Sequence, residues 1–245
     1  LLLKPETNTN SNLIQTQSVK YIDKYKYETK QTEYKSEFIN AIEKGNPTIV
    51  KMFLQRNDIN VNYVSKVLQY SYIYEIIKNQ KFISEEYKKF EIKTELKTSL
   101  HIAVQNNNIE IIQLLLKKSK INVNSIYNCQ KIQTYIKDKK EKIKRYKKRA
   151  LHIAIENENF EIINLLLSMK KIDVNSKFIK NCDTYMEPII KTPLLMALEK
   201  DNNELITILL SNKNVKITRE LKKNKKIEDL KAQLKKAKNR KYKKE

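Results

Sequence analysis

The chain has 245 residues, of which 40% are hydrophobic, with a formal net charge of +22 and a single glycine. The hydrophobic fraction is large enough for a buried core. One glycine leaves almost no material for the glycine-rich loops that bind phosphates, and no segment reaches the ~18 apolar residues of a membrane-spanning helix. The composition therefore argues against an enzyme that binds nucleotides through a glycine-rich loop, and it favours a helical, non-catalytic protein.

The chain opens with a polar, tyrosine-rich segment. Its start, Leu1 to Asn10, fits either the end of an earlier repeat of the kind described below or a frayed apolar terminus. Three leucines fall well short of the apolar core of a secretory signal. A first residue other than methionine leads us to expect a fragment or a processed product. From Asn10 to Tyr34 we predict a loop or a loose helix.

A recurring helix–turn–helix pattern occupies most of the remaining chain. From Thr98 to Asn124, apolar residues recur at helical spacing on both sides of a polar break. The pattern returns between Arg149 and Asn175, and two further copies align when the alanine of the first helix is the reference. These short helices are expected to stabilise one another by stacking. The reference alanines are separated by 62, 51 and 43 residues and are Ala41, Ala103, Ala154 and Ala197.

The residues of these copies resemble the ankyrin-repeat family. The sequence from Thr98 to Ala103, TSLHIA, is close to the family's T-P-L-H-x-A opening, and Thr192-Pro193-Leu194 keeps its first three letters. The resemblance implies that His101 and His152 are structural residues that hydrogen-bond backbone between neighbouring repeats. The positions assigned to the repeat framework are Ala41, Gly45, His101, Ala103, His152, Ala154, Thr192, Pro193 and Ala197.

The resemblance implies an all-α fold, an ankyrin-type solenoid of about four helix-turn-helix repeats with elongated finger loops and a basic C-terminal helix. The copies lie farther apart than the family's usual period of about 33 residues, so we place insertions between them. In the first insertion, Val67, Tyr70, Tyr74 and Ile77 predict a helix. The predicted boundaries are 1–35 for the N-terminal segment, 36–62, 98–124, 149–175 and 192–217 for the repeats, 63–97, 125–148 (basic) and 176–191 for the insertions, and 218–245 for the basic helical tail.

The turn between the two helices of each copy departs from the family pattern. Only Gly45 keeps the family's glycine, and Asn107, Glu158 and Asp201 replace it elsewhere. Asparagine and aspartate tolerate the left-handed conformation, whereas glutamate adopts it less easily. We therefore expect the turn at Glu158 to shift onto an adjacent asparagine.

Most of the positive charge lies in two segments. Residues 137–149 carry a net charge of +7 and residues 219–245 a net charge of +9. Such runs are typical of nucleic-acid-binding arms and nuclear-import signals, although solvated lysines or biased codon usage account for them equally simply. The residues assigned to a polyanion contact are Lys139, Lys140, Lys144, Arg145, Lys147, Lys148, Arg149, Lys235, Lys236, Arg240 and Lys241.

The C-terminal segment also has an apolar stripe at helical spacing, formed by Ile227, Leu230, Leu234 and Ala237. One interpretation is a short coiled coil, which needs three or four heptads to be secure. A second is a basic arm that binds an acidic partner. The third is a solvated helix that caps the last repeat.

No group of residues resembles a catalytic site. The only histidines are those of the repeat pattern, and Cys129 and Cys182 stand alone in corresponding insertions, without the spacing of a zinc site. A disulfide between them is disfavoured because we expect the protein to be intracellular, in the cytoplasm or the nucleus. We predict that the protein is not an enzyme and has no cofactor and no metal site.

The first functional hypothesis is a non-enzymatic scaffold that binds a protein partner through the concave face and long fingers of an ankyrin-type array. The alternative is a binder of polyanions, namely RNA, DNA or an acidic surface, that uses the basic insertion and the C-terminal tail. A third is a degenerate repeat protein with no dedicated partner. Tyrosines supply contact area with a polar group, and those assigned to partner contact are Tyr70, Tyr74, Tyr127, Tyr135 and Tyr146.

Overall fold

The structure, a computed structural model, describes residues 11–22, 25–79, 82–135, 140–181 and 187–241. Along these residues a β-hairpin and a pair of short helices alternate four times, and two further helices follow. The elements are β1 (Ser11–Ile22), β2 (Tyr25–Ser36), α1 (Glu37–Glu43), α2 (Pro47–Gln55), β3 (Val64–Asn79), β4 (Phe82–Thr98), α3 (Ser99–Gln105), α4 (Ile109–Leu116), β5 (Tyr127–Tyr135), β6 (Lys140–Lys148), α5 (Ala150–Glu156), α6 (Phe160–Leu167), β7 (Phe178–Asn181), β8 (Ile189–Lys191), α7 (Pro193–Glu199), α8 (Asn203–Ser211), α9 (Arg219–Lys222) and α10 (Lys225–Lys241).

The second helix of every pair begins in the same way. An asparagine caps it, and its side-chain oxygen accepts a hydrogen bond of 3.0–3.1 Å from the backbone N–H three residues later. Such caps satisfy amide groups that have no partner inside the helix. The four caps are Asn46, Asn108, Asn159 and Asn202.

The residue before each cap has the left-handed backbone conformation. It is Gly45 (φ 68°), Asn107 (φ 53°), Glu158 (φ 53°) or Asp201 (φ 55°). The expected shift of the third turn onto a neighbouring asparagine is therefore wrong. The Glu158 carboxylate accepts hydrogen bonds from Lys200 at 2.7 Å and Asn202 at 3.0 Å, which offset part of the strain of this conformation.

The core runs through the helix pairs. Helices of seven to nine residues are too short to be stable alone, so each buries its apolar side against the next pair. Ala103, Ala154 and Ala197 are fully buried and Ala41 is 6% exposed. Alanine at these places lets the first helices of successive repeats pack closely.

Asparagines also join the repeats to one another. The side-chain amide of Asn124 donates to the carbonyl oxygen of Lys171 at 2.7 Å, and its oxygen accepts from the Asp173 N–H at 2.9 Å. Asn62 and Asn175 make the same pair of bonds to the following repeat, at 2.7–2.8 Å. These paired bonds hold neighbouring repeats in a constant register.

The expectation of an all-α fold is wrong, because the insertions form an antiparallel sheet. The eight strands of the described residues pair in sequence order, from β1 to β8. Residues 10–34, expected as a loop or loose helix, contribute β1 and β2, and the helix expected at Val67 to Ile77 is part of β3. β-branched and aromatic residues favour strands, and the pairing partners are neighbouring hairpins that local periodicity does not reveal.

The hairpins differ in length along the array. The strands of the first have 12 residues each, those of the second 16 and 17, those of the third nine each, and those of the fourth four and three. Neighbouring hairpins pair only where both are present: β4 pairs with β5 along Lys89–Leu96, and β6 with β7 along Arg145–Lys147. The described sheet is therefore longest at the second hairpin and becomes shorter from there toward its C-terminal end.

The C-terminal helix covers the end of the helix stack. Ile227 at the start of α10 is fully buried, and Leu230 packs against the core. Lys226 lies 3.2 Å from the carbonyl oxygen of Asp201, in the turn of the last pair. The beginning of the apolar stripe therefore packs on the last repeat, which does not support the coiled-coil interpretation. None of the helices within the described residues is long and apolar enough to span a membrane.

Candidate protein-interaction surface

The two faces of the sheet have different surroundings. Because side chains alternate along a strand and cross-strand partners share a face, the strand pairing assigns each residue to one side. We call the side that contacts the first helices of the pairs the inner face. It contains Tyr127 and Phe178, whose rings lie 6.0 Å from the His101 ring and 6.2 Å from the His152 ring. The opposite side is the outer face.

Ion pairs fix three hairpins to the helices that follow them. In the pairs Lys35–Glu43 and Lys148–Glu156, a lysine at the end of the hairpin lies 2.5 Å from a glutamate at the end of the first helix. Lys191 and Glu199 form the equivalent ion pair in the fourth repeat. In the second repeat the equivalent places hold Lys97 and Gln105, and Lys97 pairs instead with Glu95 on its own strand. These contacts connect the inner face to the first helices in three of the four repeats.

The two histidines connect the end of a hairpin to the next loop. His101 Nδ1 accepts from the Thr98 N–H at 3.1 Å, and its Nε2–H donates to the Ser125 carbonyl oxygen at 3.0 Å. His152 makes equivalent bonds of 3.0 Å to Arg149 and Ser176. Burial lowers the pKa of both from 6.5 to about 4. The rings are therefore neutral at pH 7, in the tautomer that these bonds require.

In the first and fourth repeats, where Ile39 and Leu195 stand at the place of the histidine, the side-chain hydroxyl of the cap residue makes a different capping bond. Ser36 Oγ accepts from the Ile39 N–H, and Thr192 Oγ1 from the Leu195 N–H, both at 3.4 Å. Each hydroxyl caps its helix. The histidines of the second and third repeats therefore make structural hydrogen bonds. The first and fourth repeats lack the histidine and cap the first helix with a hydroxyl.

A buried carboxylate organises the middle of the inner face. Glu95 accepts a 2.5 Å hydrogen bond from the Tyr127 hydroxyl and lies 3.1 Å from Lys97 and 3.2 Å from Lys93. Burial acts to raise the pKa of Glu95, but the tyrosine and the two lysines outweigh it and hold the pKa below its usual value. Burial and Glu95 together raise the pKa of Tyr127. The charged and polar groups in this part of the inner face are therefore paired with one another.

Farther toward the C-terminal end, the inner face carries lysines without an acidic partner among the described residues. Lys142 and Lys144 lie on β6 and Lys180 on β7. The ammonium group of Lys142 lies 6.0 Å from the centre of the Tyr135 ring, and that of Lys180 lies 5.9 Å from the Tyr146 ring. Cations over aromatic rings are attracted by the ring quadrupole but keep their charge. This region therefore attracts anionic groups.

A cleft of about 510 Å³ opens between this region and the first helices α5 and α7. Its apolar wall consists of Phe178, Ile189 and Met196. Lysines of β6, β7 and β8 line the same cleft, and its two carboxylates, Glu156 and Glu199, are each paired with one of them. The cleft combines an apolar wall with excess positive charge.

The outer face is apolar along its centre. One row of cross-strand partners consists of Tyr70, Ile92, Ile132 and Ile143, which lie side by side on β3 to β6. These side chains are half-buried by their neighbours in the sheet and do not belong to the core of the helix stack. Ile190 on β8, 45% exposed, also lies on this face.

The tyrosines assigned to partner contact divide between the two faces. Tyr127, Tyr135 and Tyr146 are on the inner face, and Tyr70 and Tyr74 are on the outer face, each within the aromatic group of the second hairpin. Tyr127 is only 5% exposed and is bonded to Glu95, so its role in this structure is packing. Partner contact through the others stays a prediction.

The predicted basic residues do not form one patch. Along β6, Lys144 and Lys148 point to the inner face, whereas Arg145 and Lys147 lie on the outer face. Arg149 caps the start of α5 and its Nε donates to the Asn124 carbonyl oxygen at 2.9 Å, so it belongs to the framework. On α10, Lys235 is exposed. Lys139 lies outside the described residues, as do the side chains of Lys140, Lys236, Arg240 and Lys241.

One of the two cysteines considered in the sequence lies on the inner face. Cys129 is a buried free thiol on β5, and burial raises its pKa. Cys182 lies outside the described residues. Within the part of the chain that the structure describes, no group of three or more His, Cys, Asp or Glu side chains could hold a metal ion.

Sequence reasoning did not identify the asparagines that join the repeats. Asn62, Asn124 and Asn175 close the Val-Asn pairs of the first three copies, so the repetition was visible, but their bonding role depends on a neighbouring repeat 39–60 residues away. Sequence reasoning also missed Lys180 and Ile189, which are cross-strand partners on the inner face. Only the strand assignment brings these two residues together.

Comparison with known protein families agrees with this geometry. A family model for ankyrin repeats in three copies matches residues 38–127, and a model for a single ankyrin repeat matches residues 148–178. No curated protein matches the chain. The matched ranges contain the first three helix pairs, with the left-handed turns, asparagine caps and structural histidines described above. The chain is therefore an ankyrin-repeat protein, and such repeats are protein–protein interaction modules.

Proposed function

We propose that the chain is a non-enzymatic scaffold that binds a protein partner through the inner face of the hairpin sheet and the adjoining first helices. The observation that carries the proposal is the set of equivalent ion pairs that connect three hairpins to the first helices that follow them. We infer that the inner face and the first helices form one continuous, pre-organised surface. Pre-organisation reduces the entropic cost of binding.

The test is site-specific photocrosslinking in a lysate of the cells that express the chain. A photoreactive amino acid replaces Lys144 or Ile189 on the inner face, and Arg145 or Ile190 on the outer face as matched controls. The members of each pair are adjacent in sequence and on opposite sides of the sheet. We expect one protein to be recovered from both inner positions and from neither outer position. Recovery of the same protein from the outer positions alone would overturn the proposal.

Polyanion binding is the second candidate. It is supported by three lysines that have no acidic partner in the described ranges, Lys142, Lys144 and Lys180, and by the tyrosine rings near two of them. Cations beside aromatic rings suit backbone neutralisation and base stacking. The alternation of cations along β6 weakens this candidate, since it divides the charge between two faces.

Binding to mixed RNA and duplex DNA at low and physiological salt tests the second candidate. The double variant Lys142→Glu/Lys144→Glu changes the inner face, and Arg145→Glu/Lys147→Glu makes the same change in net charge on the outer face. A steep salt dependence that only the inner variant abolishes would favour nucleic acid. Equal weakening by both variants would indicate nonspecific attraction to a basic protein.

A further inference from the structure

The cleft between the last two hairpins and the helices α5 and α7 has a chemistry that narrows the class of partner. Its wall contains Phe178, only 8% exposed, Met196, 7% exposed, and Ile189, whose side chain is 42% exposed. The first two belong to the core of the stack, whereas Ile189 projects from β8 and has an incomplete set of apolar neighbours. An apolar group that enters the cleft would complete that contact.

The charges around the cleft are unbalanced in one direction. Four lysines and two glutamates line it, and each glutamate is already paired with a lysine. Lys200 is bonded to Glu158 in the turn between α5 and α6. Lys180 has no acidic partner among the described residues and stands over the Tyr146 ring. The excess charge is therefore concentrated at the position directly opposite Ile189 on the neighbouring strand.

Lys180, which has no acidic partner within the described part of the chain, lies beside the half-exposed side chain of Ile189, and this combination discriminates between ligand classes. A nucleic acid would use the cation but leave Ile189 in contact with phosphate or water. An apolar peptide would use Ile189 but would have to desolvate Lys180 without compensation. A peptide that carries carboxylates around a bulky apolar side chain satisfies both groups.

We propose that this cleft binds an acidic segment of a partner protein that inserts one bulky apolar side chain against Ile189 while its carboxylates contact Lys180 and the neighbouring lysines. The inference rests on the proposed function and assigns the partner class for one part of the inner face. The volume of about 510 Å³ accommodates a side chain and the backbone on either side of it.

The probe is a fluorescein-labelled heptapeptide with a central phenylalanine and three glutamates on each side, with binding followed by fluorescence anisotropy. Replacing the phenylalanine with alanine should weaken binding at least tenfold, which corresponds to about 1.4 kcal/mol, because the ring no longer buries apolar surface against Ile189. Lys180→Glu should also weaken it about tenfold, because it places like charges together. Ile189→Ser should reproduce the effect of removing the phenylalanine.

Matched controls lie on the outer face of the same part of the sheet. Lys147→Glu makes the same charge change on β6, opposite the neighbour of Lys180, and Ile190→Ser makes the same apolar change next to Ile189 on β8. All four side chains are at least partly exposed, so folding should be retained, which a thermal melt monitored by circular dichroism checks. We expect each control to change the affinity less than twofold.

Three results would overturn the inference: no peptide binding, equal effects of Lys180→Glu and Lys147→Glu, or equal binding of the phenylalanine and alanine peptides. An oligouridylate that binds as tightly as the peptide and competes with it would also overturn it, in favour of a phosphate site. Inner-face crosslinking to a protein together with any of these results would leave the scaffold proposal standing and reject only the acidic, apolar-anchored partner.

Discussion

The helix stack and the hairpin sheet are built from the same repeats but follow different rules. In the stack, every repeat has an alanine at the same place in the first helix and an asparagine cap before the second, and the backbone turns through the left-handed conformation at the same position between them. In the sheet, strand length varies from three to 17 residues, and the face that carries charge in one hairpin carries aromatic rings in another.

This difference follows from how closely neighbouring elements enclose the side chains of each region. A residue of the stack is enclosed by its own helix pair and by both neighbours, so few side chains fit. Most strand residues are constrained mainly by their hydrogen-bonded neighbours, and away from the helices the sheet keeps access to solvent. The stack therefore supplies position and stability, and the sheet is free to vary in chemistry. Four predictions test this division.

The largest effect is expected where α10 closes the stack. Ile227 is fully buried against the last repeat, so Ile227→Ala should reduce the free energy of unfolding by about 2–5 kcal/mol. Leu234→Ala, farther along the same stripe and partly exposed, should cost less than about 1 kcal/mol. Urea denaturation measures both. Equal losses would mean that the whole stripe is buried, as in the coiled-coil interpretation.

The next effect tests the close approach of the first helices. Ala103 has no exposed surface, and Ala103→Leu should destabilise the protein by about 1–3 kcal/mol, because added methylene groups force the neighbouring helices apart. Ala232→Leu on the exposed side of α10 is the matched control and should change stability by about 0.5 kcal/mol or less. A melting curve that Ala103→Leu leaves unchanged would contradict the packing described here.

The structural histidines predict a pH dependence. Burial lowers their pKa in the folded protein to about 4, from 6.5, so the unfolded chain binds more protons between these values. Stability is therefore complete above pH 6.5 and is lost as the pH falls toward 4, by on the order of 1–2 kcal/mol for each histidine at pH 5. Urea midpoints at pH 7 and pH 5 measure the loss.

A variant with both His101→Gln and His152→Gln separates the histidines from the carboxylates, which also titrate below pH 5. The variant should be less stable at pH 7 and should lose most of the dependence between pH 7 and pH 5. If the dependence survives in full, the buried histidines do not cause it.

The smallest effect is expected on the outer face of the sheet. Ile143 is half-buried among its strand neighbours and does not belong to the stack core. Ile143→Thr should cost less than about 1 kcal/mol, because threonine also favours strands and the face remains open to water. Ile163→Thr in the fully buried interior of α6 should cost clearly more. Similar losses in the two variants would show that the sheet is as constrained as the stack.

The difference between the two regions also explains which parts of the fold could be predicted from the sequence. The helix pairs are predictable because their signals are local: apolar spacing, an asparagine cap and a turn that glycine or asparagine tolerates. The sheet is not, because each hairpin obtains its lateral hydrogen bonds from hairpins distant in sequence. The sequence of β6, KEKIKRYKK, is mostly cationic, and strand propensity alone would not assign it to a sheet.

The same reasoning applies to the candidate site. The tyrosines and lysines of the insertions are visible in the sequence, but their division between the two faces depends on strand register, and a shift of one residue would exchange them. The pairing of Lys180 with Ile189 depends on the strand assignment and on the register of β7 and β8. Function assigned from composition alone therefore joins residues, such as Lys144 and Arg145, that lie on opposite sides of one strand.

The stepped lengths of the hairpins have a consequence for aggregation. Among the described residues, β7 pairs with β6 only along Arg145–Lys147, and Lys140–Lys144 has no strand partner within the described residues on the side away from β5. A strand edge without a partner can pair with a strand from another molecule, and lysines are among the residues that discourage such pairing. Three of the five residues in this stretch are lysines. The charge of this stretch of β6 thus opposes strand addition at the edge for which the described residues supply no partner.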